Sequence, residues 1–135
     1  MSTTNAFVQW TENERFLGQA SSRHAIVIDS SDDKTANGPM ELVLIALCAC
    51  TATDVVSILQ KKREPVTSLE VRASGERADS VPRIYTKIHL TYRIGGKVAP
   101  KSMEDAVHLS KDKYCSVSQM LNKAAEITYE IEYVD

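Results

Sequence analysis

The sequence predicts an α+β fold, with helices packed on a mostly antiparallel sheet. Three observations predict it. Short segments rich in β-branched and aromatic residues stand near the N-terminus, one long apolar segment contains no helix breaker, and later segments alternate apolar with polar residues. The chain has 135 residues, which suits a single domain spanning 1–135.

Residues 6–10 and 23–29 read as strands bounded by polar turns, and Phe16 to Ala20 reads as a short strand between them. Ser30 to Gly38 is a loop by composition. Pro39 suits the first turn of a helix, where its missing N–H costs nothing. From Met40 to about Lys62 nothing breaks a helix. Leu42 to Cys50 is apolar on all sides, the mark of a helix covered on all sides. Lys61, Lys62 and Arg63 favour the negative end of the helix dipole, and Pro65 then stops it.

Leu69, Val71 and Ala73 alternate with polar neighbours, as do Ile84, Thr86, Ile88, Leu90 and Tyr92. Both runs read as strands with one buried face, joined as a hairpin through Asp79 to Pro82, and Gly95 and Gly96 end the second. Ser102 with Glu104 and Asp105 opens a helix to about Lys113. Ser116 and Gln119 fit a capping box for another helix ending near Ala125. Ile127, Tyr129, Ile131 and Tyr133 alternate in a last strand.

The formal net charge of -2 and pI near 5.9 give no general attraction to nucleic acid or anionic membrane. The start lacks a basic region followed by an apolar run, so no signal peptide is expected. The apolar stretch Leu42 to Ala52 is too short to span a bilayer. The expectation is a cytoplasmic protein that binds neither nucleic acid nor membrane.

Three cysteines and three histidines are present, with no zinc-ligand spacing among them, so no metal site is expected. Cys48 and Cys50 share the long helix, but at about 100° per residue they point roughly 200° apart. Cys48 reads best as a small hydrophobe. Cys115 directly precedes Ser116, the expected cap of a helix, where amides and the dipole stabilise a thiolate. A peroxidatic cycle needs two thiols: one becomes a sulfenic acid, and the second condenses with it to a disulfide. The pattern alone does not choose between such a pair and three core cysteines.

The run from Asn37 through Gly38, Pro39 and Glu41 to Cys50 resembles the helix start of the OsmC/Ohr family, with Pro39 eleven positions before Cys50. Lys113 to Leu121 resembles the family's Cys-Pro-Val-Ser motif, and Pro82 to Leu90 its intervening strand. The resemblance covers nearly the whole chain from Phe16. It implies an OsmC-like fold, two intertwined chains with sites at the dimer interface, Cys50 as attacking thiol and Cys115 as resolving thiol. It implies a thiol-dependent peroxidase for small organic hydroperoxides that needs no cofactor beyond an external dithiol reductant. The family's glutamate directly follows the proline. Here that position is Met40 and Glu41 stands one step later. Its arginine position in the OsmC branch falls in Ile26 to Asp29, which leaves Arg15 and Arg23 as candidate supporting cations.

Two other readings compete. One is a non-catalytic OsmC-like module binding a small apolar ligand in the dimer cleft. The other is an RNA-binding KH-like protein, against which the acidic balance and the lack of a Gly-x-x-Gly loop both speak.

Overall fold

The computed structural model describes residues 2–135, in two compact units; the first ends at Val43 and the second runs from Leu44 to Asp135. In the first unit β1 (Ala6–Glu12), β2 (Arg15–Ala20) and β3 (Ala25–Asp29) form an antiparallel meander in that order. Phe7, Val8, Trp10, Ile26 and Val27 are all exposed, so this small sheet presents apolar side chains that its own chain leaves uncovered.

The loop after β3 is organised by one buried carboxylate. Asp29 accepts bonds from the amides and hydroxyls of both Ser31 and Thr35, at 2.6–2.9 Å. These four donors hold its pKa far below the usual carboxylate value. The loop delivers the chain to Gly38, whose N–H donates to Glu41 Oε1 at 2.8 Å. This is one half of a capping box, with Pro39 at the first helical position.

The helix α1 (Pro39–Lys61) is the predicted long helix. Its end is a Schellman motif: Arg63 takes φ 58°, its N–H donates to the Gln60 carbonyl, and the Glu64 N–H donates to that of Leu59. The helix is long and apolar enough to cross a membrane by length and composition alone, contrary to the expectation from its apolar core stretch. Only Leu47, Thr51, Val55 and Leu59, a stripe at every fourth position, are buried. The expectation of a helix covered on every side is not met within one chain; Ile45 is 49% exposed.

The second unit continues with β4 (Ser68–Arg77), β5 (Tyr85–Gly95), α2 (Pro100–Leu109), a π-turn over Ser110–Tyr114, α3 (Ser116–Leu121) and β6 (Glu126–Val134). The sheet order is β4-β5-β6; β4 and β5 form the predicted antiparallel hairpin, and β6 lies parallel to β5. Ile88, Leu90, Tyr92 and Ile94 point into the core, as their alternation predicts. The alternation fails at the strand's start, where Tyr85 is buried and Ile84 exposed, because a register shift opposite Glu76 and Arg77 turns the backbone over. Gly96, at φ 102°, ends the hairpin; a Cβ there would sit 2.1 Å from the Pro65 carbonyl oxygen.

Ser102 does not open α2. The helix starts at Pro100, and its end is held from elsewhere by Glu64, which accepts from the Ala99 N–H at 3.0 Å and from the Ser102 hydroxyl at 2.8 Å. The core of this unit joins Leu47, Val55 and Leu59 of α1 to the inward face of β5 and to Met103, Ala106 and Val107 of α2. Truncating any of the large ones to alanine costs about 2–5 kcal/mol.

Candidate functional site

Cys115 is the N-cap of α3: its Sγ accepts the Ser118 N–H at 3.3 Å. The expected cap, Ser116, is instead the first helical residue, and Gln119 turns away to donate to the Lys111 carbonyl at 3.0 Å. Helix α3 also ends earlier than expected, at Leu121.

The π-turn places Cys115. Its N–H donates to the Ser110 carbonyl at 2.8 Å, a span of five residues that closes the wide turn. The side chain is fully buried. Burial is the main cause that pushes the Cys115 thiol up to about 12, outweighing the Ser118 amide that favours the thiolate. The expectation that a helix start would make this thiol acidic is therefore overturned: desolvation exceeds what one amide of a two-turn helix supplies.

Two further causes identify the neighbours of Cys115. Cys50 and Asp54 each raise the Cys115 thiol further, Cys50 as a neighbouring thiol and Asp54 through its negative charge. Cys50 and Asp54 are four residues apart on α1, hence on one face. Cys48, on another face, is half-buried; desolvation raises its thiol pKa, and it acts electrostatically on Tyr92.

Below the thiols runs a chain of hydroxyls that the sequence reading missed. Tyr92 Oη lies 2.7 Å from Thr51 Oγ1, Thr51 Oγ1 lies 2.8 Å from Ser110 Oγ, and Ser110 donates to Asp54 Oδ2 at 2.8 Å. Each hydroxyl has one proton, so the direction is determined. Ser110 spends its proton on Asp54 and must accept from Thr51, which in turn must accept from Tyr92. All three protons point toward Asp54. Thr51, Ser110 and Tyr92 are buried, and desolvation pushes the Tyr92 phenol up to about 12. The one signal in the sequence was Asp54 standing four residues after Cys50.

The other candidate residues have local partners. Glu41 serves the start of α1 through Gly38. Arg15 begins β2, with Nη2 3.9 Å from Glu12 Oε1. Arg23 occupies the β2–β3 turn at φ 66°, its N–H donating to the Ala20 carbonyl. Both arginines belong to the first unit and the three cysteines to the second. Among the described residues no group of His, Cys, Asp or Glu is arranged to hold a metal ion. A cavity of about 370 Å³ opens on Asp54, with Ile58, Leu109 and Tyr114 as apolar wall and Lys61 and Lys62 at its polar side.

The long helix carries Cys48 and Cys50, the π-turn delivers Cys115, and β4 and β5 form an antiparallel hairpin, all in a chain of the OsmC-like class. The OsmC-like protein family model matches residues 31–130, and the chain belongs to that family. It is similar to protein YhfA of Escherichia coli K12, at 44% identity over 130 residues covering 96% of this chain and 97% of YhfA. It is also similar to the crystal structure of a hypothetical protein from Aquifex aeolicus VF5, with 31% identity, a TM-score of 0.87 and full coverage of both chains. An organic hydroperoxide resistance protein from Elizabethkingia anophelis shares the fold at 12% identity, with a TM-score of 0.77 over 99% of this chain and 98% of that one.

Proposed function

We propose that this protein is a thiol-dependent peroxidase for small organic hydroperoxides, acting as an intertwined homodimer in the cytoplasm, with Cys50 attacking and Cys115 resolving. The observation that supports it is that Cys50, on α1, acts on the buried Cys115 thiol delivered by the π-turn. Burial keeps Cys115 protonated, which suits a thiol that waits while the half-buried Cys50 meets the peroxide. The Cys50 thiolate attacks the terminal peroxide oxygen; the O–O bond breaks, the alkoxide takes a proton and leaves as the alcohol, and Cys50 holds the sulfenic acid. Cys115 then displaces water to form the disulfide, and an external dithiol returns both thiols. The apolar wall of the Asp54 cavity fits an alkyl or aryl tail.

One equivalent of an organic hydroperoxide should convert Cys50 and Cys115 to one intramolecular disulfide, read by mass spectrometry. Cys115→Ser should stop at sulfenic acid on Cys50, trapped by dimedone, and Cys48→Ser should turn over nearly as wild type. If the wild type forms no such disulfide and consumes peroxide no faster than free cysteine, the reading fails. A second reading, a non-catalytic module holding a small apolar ligand, is favoured by one fact: the charged group acting on Cys115 is an acid, Asp54. It predicts ligand binding with no thiol oxidation.

A further inference from the structure

The condensation of Cys115 with a sulfenic acid has a proton requirement that the two thiols do not meet. Cys50–S–OH and H–S–Cys115 give the disulfide and water: the S–O bond breaks, the S–S bond forms, the thiol loses its proton and the departing hydroxide gains one. Cys115 is fully buried, and burial keeps it protonated. A group that accepts the proton from one sulfur and returns it to the hydroxide leaving the other would meet both needs.

We infer that Asp54, held by Ser110, is that group: it takes the Cys115 proton as Cys115 attacks and hands it to the hydroxide leaving Cys50. The inference rests on the hydroperoxide reading above. Two geometric observations place Asp54 in this role. It stands one helical turn from Cys50 on the same face of α1. Ser110 joins it to Cys115, because the Ser110 hydroxyl donates to Asp54 Oδ2 at 2.8 Å while the Ser110 carbonyl accepts the Cys115 N–H at 2.8 Å. Beside these, the negative charge of Asp54 raises the Cys115 thiol. The hydroxyl chain behind it suits a group that changes protonation. With Asp54 ionised the protons run from Tyr92 through Thr51 and Ser110 to the carboxylate. With Asp54 protonated the Asp54 O–H can donate to Ser110 and the chain reverses, so neither state leaves Oδ2 without a partner. This is a use for a half-buried acid beside two thiols, where its charge alone would only hinder them.

The test avoids peroxide, so that it stands apart from the hydroperoxide reading. In a Cys48→Ser background, dithiobis(nitrobenzoate) caps Cys50 and releases one nitrothiophenolate. Cys115 then displaces the second, which appears as a later phase absent from Cys115→Ser. Asp54→Asn should slow that second phase roughly tenfold or more relative to the first, and Asp54→Glu should recover part of the loss. Ser110→Ala, which keeps the carboxylate but removes its anchor, should slow the same phase and decides the matter if Asp54→Asn does not fold. With hydroperoxide, Asp54→Asn should in addition accumulate dimedone-trappable sulfenic acid on Cys50. A second phase as fast as wild type in Asp54→Asn, or faster because a negative charge has been removed beside Cys115, overturns the inference and leaves the hydroperoxide reading intact. A wild type inert to hydroperoxide but slowed in the disulfide exchange by Asp54→Asn loses that reading and keeps the proton role.

Discussion

Thr51 Oγ1 and Tyr92 Oη lie 2.7 Å apart although 41 residues separate them in sequence, and the same threonine oxygen lies 2.8 Å from Ser110 Oγ. One hydroxyl thus ties α1 to β5 and to the π-turn, deep in the core of the second unit. Thr51→Val keeps the shape and removes both bonds. Two buried hydroxyls then each lose a partner, so the variant should lose about 1–3 kcal/mol of stability. Tyr92→Phe removes one end of the chain and should cost less. Urea midpoints measured on both variants check this. A Thr51→Val protein as stable as wild type would mean that the chain contributes nothing to the fold.

The buried thiol and phenol make the fold sensitive to alkali. Burial raises Cys115 from an ordinary value of 9.0, and Tyr92 from 10.0, each to about 12. Above the ordinary values the unfolded chain releases these protons while the folded chain keeps them. Stability is therefore fully present below pH 9.0 and falls as pH rises toward about 12. Melting temperatures taken across that window should fall steadily, and Cys115→Ser should flatten part of the decline. A decline identical in Cys115→Ser would show that the thiol is already ionised in the folded state.

A third expectation concerns assembly. Trp10, at 65% exposed, with Val8 at 62% and Ile26 at 49%, lies on the small first sheet, and Ile45, at 49%, lies on α1. Uncovered apolar surface of this kind marks an interface. The chain should sediment as a dimer at micromolar concentration, burying well over the roughly 1,600 Å² of a standard interface. Trp10→Asp should shift it toward monomer and lower its melting temperature. A wild-type chain that stays folded and monomeric under those conditions would contradict this.

Much of this architecture was legible because its signals are local. The unbroken apolar run marked α1, the alternation marked β4, β5 and β6, and Gly38 with Pro39 marked the helix start. What escaped depends on partners distant in sequence. The start of α2 at Pro100 is secured by Glu64, 35 residues before Ala99, so the nearer Ser102 looked like the cap. The phase of Tyr85 is decided by a register shift in its neighbour strand. Cys115 stood out as a thiol, but its burial, which reverses the effect of the helix start, is a property of packing that no spacing encodes. Asp54 was passed over because its partner Ser110 lies 56 residues away.

The π-turn also bears on how this fold tolerates changes in length. It holds one residue more than an α-helical turn would, and Gln119 pins it through the Lys111 carbonyl. Deleting one residue between Lys111 and Lys113 would let α2 continue as ordinary helix and leave every strand untouched. It would also remove the five-residue span from Ser110 to Cys115 that the Cys115 N–H closes. A chain shortened in this way would keep its sheets and its long helix while Cys115 lost the bond that places it. A single codon thus separates a chain whose backbone fixes Cys115 from one that folds without that constraint.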